Sequence, residues 1–106
     1  MQRLGVYVAA YDPRTAQETV DLALAAGLLE IEVWVFIDTH ALAHLNPADA
    51  DTEGRWRTLL DFCPARVLIQ QEADPTASAS YRISAEPIEA EQWQALQQQC
   101  DRMLLG

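Results

Sequence analysis

The sequence predicts an α/β fold: a small three-layer α/β/α domain around a mostly parallel sheet of about five strands, all within a single domain over 1–106. Three observations predict it. The first is the stretch 31–40 (IEVWVFIDTH), in which 33–37 is five consecutive apolar residues, β-branched or aromatic throughout. A run without alternation fits a strand covered on both faces, and helices on both sides of a parallel sheet supply that cover. The second is the order of the opening elements: a strand, a helix, then this central strand, which makes a βαβ unit with a right-handed crossover. The third is size: 106 residues, half of them apolar, suffice for one modest core.

The elements follow in order. Residues 4–11 (LGVYVAAY) read as the first strand, ended by Asp12 and Pro13. Thr15 followed by Glu18 has the spacing of a capping box, so a helix starts there. Ala16, Val20, Ala23, Leu24 and Gly27 form its apolar face, with Gly27 near the expected stop. After Asp38, 39–45 can form a short helical turn, which Asn46 and Pro47 break. Residues 48–53 are small and acidic and read as a surface loop. Trp56, Leu59, Leu60 and Cys63 mark a second helix, closed by Pro64, and 66–71 a third strand. Residues 72–80 read as a loop with one turn of helix, and 81–85 as a short strand. Pro87 stands at a helix start, with Glu89 and Glu91 suiting the first turn. Trp93, Leu96 and Cys100 are that helix's buried face, and 102–105 closes the chain as a strand.

Composition excludes several classes. The formal charge is −9, from 16 acidic and 7 basic residues, which argues against direct nucleic-acid binding and against anionic membranes. No apolar segment approaches the roughly 18–20 residues of a membrane span. The first ten residues read as a strand rather than a signal peptide. Cys63 and Cys100 form no CxxC or metal-type cluster, so a cytoplasmic protein with reduced thiols is the expectation. No cofactor signature is present: the glycines are scattered, and no Ser/His/Asp arrangement has recognisable context.

Candidate sites follow from sheet geometry. Ligands in open α/β sheets sit outside the carboxyl ends of the strands, which places Tyr11, Asp12, Asp38 and Gln70 on one rim. Asp12 and Asp38 could pair as a phosphate-accepting or metal site, but that chemistry also wants a lysine, and all seven basic residues are Arg. Asp38, His40 and His44 are weak metal candidates; if 39–45 is helical, both imidazoles project on one side. Surface placement is the stronger reading for the pair. Cys63 shares a stripe with Trp56 and Leu59 and reads as a buried apolar residue. Cys100 is the better thiol candidate, having neighbouring Arg102 and partial exposure. Trp34, Trp56 and Trp93 read as core, with subunit contact the alternative for the last two.

The last twenty residues carry a resemblance. EPIEAE over 86–91, then a helix, then CDRMLL over 100–105, resembles the DsrE/DsrF/DsrH family, the TusB/TusC/TusD group of sulfur-relay proteins. The apolar run 35–37 ending in Asp38 is similar to the second strand of the TusC/DsrF branch, which the chain resembles most. The likeness covers nearly the whole chain, in hydrophobic patterns rather than a catalytic signature. It implies a parallel sheet between helices, assembly of three related subunits into heterohexamers, and transfer of persulfide sulfur towards tRNA thiolation or in sulfur oxidation. In the active subunit the sulfur-carrying cysteine lies just after a mid-chain strand. Here that place holds Gln70, Gln71 and Glu72. The resemblance therefore implies an accessory, non-catalytic subunit whose partners are related small α/β chains. A stand-alone DsrE-like homo-oligomer, or a thiol carrier using Cys100, is the alternative.

Overall fold

Residue parity along the strands divides the core of this protein in two. The computed structural model describes residues 2–70 and 81–105. Its strands are β1 (Arg3–Val8), β2 (Glu32–Ile37), β3 (Ala65–Gln70), β4 (Glu86–Ile88) and β5 (Arg102–Leu105), all parallel, in the order β4-β3-β2-β1-β5. Val6, Val8, Val33, Val35, Ile37, Val67 and Ile69 face one way and bury against α1 (Ala16–Leu28) and α2 (Ala50–Phe62). Trp34, Phe36 and Leu68 face the other way and meet Ile88 and Trp93, the latter on α3 (Ala90–Gln98). The α/β/α layering is thus present: among the described residues, two α-helices cover one face and one the other. Each fully buried large side chain, Trp56, Phe36 and Leu59 among them, contributes roughly 1.5–3 kcal/mol.

The 33–37 run is the centre of this arrangement. Val33, Val35, Phe36 and Ile37 are wholly buried and Trp34 nearly so. At the amino end of the sheet, the guanidinium groups of Arg3 and Arg66 flank the Trp34 ring at 4.0 and 4.8 Å. The Trp34 indole N–H donates to Glu32 at 2.9 Å.

Six local expectations are corrected. β1 ends at Val8, three residues short of Tyr11. Thr15 precedes α1, but its hydroxyl turns back to the Asp12 carbonyl at 3.4 Å instead of capping the helix, so the Thr15/Glu18 box is not formed. Residues 50–53 belong to α2, not to a loop, because Asp49 caps that helix by accepting from the N–H of Thr52 at 3.1 Å. The fourth strand is Glu86–Ile88 rather than 81–85. Pro87 lies within it, on an edge strand where a missing N–H costs little, and α3 starts after Glu89. The expected loop at 72–80 and the last residue of the expected 66–71 strand lie outside the described residues. The stop of α1 also differs in mechanism: Glu30, at φ 64°, takes the left-handed position, while Gly27 sits inside the helix against Cys63.

Candidate functional site

Strand order reverses at β1, which has β2 on one side and β5 on the other. Crevices in open α/β sheets form outside the carboxyl ends of the strands at such a point. Among the described residues a hollow opens there on each face of the sheet. On the α3 face lies a groove of about 510 Å³, lined by Tyr7, Gln70, Trp93, Gln94, Met103 and Leu105 among others. On the α1/α2 face lies a cavity of about 310 Å³ between the β1–α1 loop and the start of α2.

Asp38 sits on the rim by the groove. Its Oδ2 accepts from the Tyr7 hydroxyl at 2.5 Å. Its Oδ1 accepts from the backbone N–H of His40 at 3.0 Å and lies 2.9 Å from His40 Nδ1. The His40 backbone N–H, the Tyr7 hydroxyl and the His40 ring together hold the Asp38 carboxyl down at about 2. The same bond keeps Tyr7 protonated, its pKa raised first by donating to Asp38 and then by burial. Asp38 also caps the 3₁₀ helix Thr39–Leu45. The cluster is thus an anionic anchor tying β1 to the end of β2.

The rim residues do not form one site. Asp38 and Gln70 share the α3 face, but Tyr11 lies on the opposite side of the sheet, edge-on to His44 at a centroid distance of 4.8 Å. Asp12 turns to its own loop, accepting from the N–H of Arg14 at 3.0 Å. It makes no bond with Asp38 among the described residues.

His40 and His44 are not brought together either. Three residues per turn in a 3₁₀ helix separate positions i and i+4 by about 120°, against about 40° in an α-helix. His40 is exposed beside Asp38, whereas His44 is buried and reaches the Ala10 carbonyl from Nε2 at 3.2 Å. Among the described residues no group of three or more His, Cys, Asp or Glu is placed to hold a metal ion.

The thiols are quiet. Cys100 is half-buried beyond α3, with Sγ 3.8 Å from the Leu96 carbonyl. Burial pushes its pKa up, opposed by Arg3 rather than by the neighbouring Arg102. Cys63 is half-buried against α1: a Cβ on Gly27 would stand 2.9 Å from its sulfur. Trp34, Trp56 and Trp93 are all core residues, at 4, 0 and 6 % exposure.

Sequence reading missed Tyr7 as the partner of Asp38, and missed the burial of His44. The signal for the first lay in strand parity, since Tyr7, Asp38 and Gln70 share the parity of Phe36 and Leu68. No helix among the described residues is long and apolar enough to cross a membrane. No family model matches the chain, and no curated protein matches it.

Proposed function

We propose that this chain is a non-catalytic, accessory subunit of a sulfur-relay assembly of the TusC/DsrF kind. It is a cytoplasmic protein that supports persulfide transfer by related small α/β subunits, in tRNA thiolation or sulfur oxidation, without carrying the sulfur. The observation that supports this reading is the chemistry of the rim. Where the family's active subunits place a cysteine, β3 ends in Gln70, and the groove beside it has no cysteine among its described lining residues. Neither thiol compensates, because Cys100 is held protonated by burial and Cys63 packs against Gly27.

The surface suits association. The packing of Gly27 against Cys63 brings together the ends of α1 and α2, where Leu28, Leu29 and Phe62 are 66, 74 and 81 % exposed. Incubation with glutathione persulfide, followed by persulfide-specific labelling and light scattering, tests the proposal. The expected result is a discrete oligomer, with itself or with related small chains, and no sulfur on either thiol. Persulfide on Cys100 that Cys100→Ser abolishes would instead make the chain a thiol carrier. A monomer at every concentration that joins no such partner would end the subunit reading.

A further inference from the structure

We propose that Cys100 and Met103 form a two-sulfur site for a soft monovalent metal ion, of which copper(I) is the biological example. Met103 stands opposite Gly5 in the β1–β5 ladder. Gly5 has no side chain, so the Met103 thioether folds sideways over it and meets the Cys100 thiol there. Both sulfurs lie within 3.0 Å of the point where a Cβ on Gly5 would stand, that of Met103 the nearer. They are therefore less than about 6 Å apart. Two metal–sulfur bonds of about 2.3 Å in line span about 4.6 Å, so one ion can bridge the pair. The backbone carrying them is fixed. The N–H of Cys100 donates to the Gln97 carbonyl at 3.2 Å, and that of Asp101 to the Arg3 carbonyl at 2.9 Å.

The donor set selects the ion. Thiolate and thioether are soft ligands, and with nothing else beside them they suit an ion content with two donors. Zinc wants four, and the nearby carboxylates are already engaged. Asp101 accepts from the Arg3 N–H at 2.7 Å, and Glu32 accepts from the Trp34 indole at 2.9 Å and pairs with the Arg3 side chain at 3.3 Å. No group of three or more His, Cys, Asp or Glu among the described residues offers a harder site.

Charge agrees. Partial burial penalises a bare Cys100 thiolate, but a monovalent ion on that thiolate makes a neutral unit, which the same surroundings tolerate. On binding, the S–H bond breaks, its electron pair stays on sulfur and forms the bond to the metal, and the proton leaves to solvent. Nothing is oxidised or reduced. The S–H gives up only a long contact with the Leu96 carbonyl, at 3.8 Å. Met103 is 37 % exposed and lines the groove on the α3 face, and Cys100 is partly exposed, so the pair lies at the surface rather than in the core. The inference is independent of the sulfur-relay reading.

X-ray absorption at the copper edge tests it, on selenomethionine-labelled protein loaded with one equivalent of copper(I) under nitrogen. The expected shell is one sulfur and one selenium, with one proton released per ion. Met103→Leu should remove the selenium neighbour, which separates Met103 from Met1, and Cys63→Ala should leave the shell unchanged. Met103→Leu should also weaken copper retention against a competing chelator by about tenfold or more, since loss of even an outer-shell partner costs a metal site that much. Gly5→Ala keeps both sulfurs but sets a methyl group where the Met103 sulfur lies, and should weaken retention too. If Gly5→Ala does not fold, Met103→Leu, at a partly exposed position, decides alone. A wild-type shell without selenium, or one unchanged by Met103→Leu, would overturn the proposal and leave Met103 as packing over Gly5. A shell of two cysteine sulfurs, lost in Cys63→Ala, would overturn it in favour of copper bridging two thiols.

Discussion

The Tyr7 hydroxyl donates to Oδ2 of Asp38 across 31 residues of sequence, joining β1 to the residue that ends β2. The bond is charge-assisted and partly buried, the class worth about 1.5–3 kcal/mol when fully formed. Tyr7→Phe keeps the ring against Trp93 and removes only the donor. We expect it to lower stability by about 1–2 kcal/mol in urea unfolding at pH 7. Asp38→Asn should be strongly non-additive with it, since both remove one interaction. The acid limb carries the same signature. Asp38 has a folded pKa of about 2 against an ordinary 3.8, so its contribution is complete above about pH 4 and is lost as pH falls towards 2. Tyr7→Phe should flatten that limb; an unchanged acid slope would show that the Tyr7 bond does not hold Asp38 down.

His44 sets a second, separate pH window. Burial lowers its folded pKa below 6.5, so below that pH the unfolded chain binds the proton more readily than the native one. Stability therefore falls as pH drops beneath about 6.5 and keeps falling until the folded pKa is passed. His44→Phe should abolish the decline that sets in below about pH 6.5 and leave the lower Asp38 limb in place. A decline unaltered by the substitution would assign it to another group.

Glu30 is a correctable strain. Its N–H bonds to the Gly27 carbonyl at 3.0 Å and that of Ile31 to the Ala26 carbonyl at 3.2 Å, a Schellman ending for α1 in which the left-handed residue, at φ 64°, is glutamate rather than glycine. Relief of the Cβ clash is worth about 1 kcal/mol, part of which the more flexible unfolded glycine chain cancels. We expect Glu30→Gly to raise stability by a few tenths to about 1 kcal/mol, a rise of a few degrees in Tm by calorimetry.

Gly27 looks like the helix stop in sequence but serves a different purpose. An added Cβ would stand 2.8 Å from Cys63 Cβ and 3.3 Å from Leu59 Cδ1. Gly27→Ala gains helix propensity of about 1 kcal/mol, yet overpacking of a close helix contact costs about 1–3 kcal/mol. Net destabilisation is expected in chemical unfolding. Cys63→Ala should relieve it only in part, because the Cβ contact remains.

These residues show what sequence can and cannot carry. The 33–37 run was legible because two-sided burial leaves no polar position in it. β4 was not, being three residues long with Pro87 inside it, and held at the edge by the Arg66–Glu86 pair at 2.9 Å. The start of α2 was hidden by its own chemistry: Asp51 and Glu53 favour a helix N-terminus, yet in composition they read as loop. The rim was legible as a place but not as a set of partners. Strand parity sends Asp38 and Gln70 to one face, loop geometry sends Tyr11 to the other, and 3₁₀ pitch separates His40 from His44.

Phe62 tests whether the exposed apolar end of α1 and α2 is a contact surface. It is 81 % exposed at the last position of α2, so replacing it removes little intramolecular packing. Phe62→Glu should leave unfolding stability within about 0.5 kcal/mol of wild type. Burial of Phe62, Leu28 and Leu29 between subunits would make the same charge costly on association, weakening the assembly at least tenfold. Light scattering across a dilution series reads that difference directly. An oligomer of unchanged mass and midpoint in Phe62→Glu would move the contact surface elsewhere, to the exposed Leu105 edge of β5.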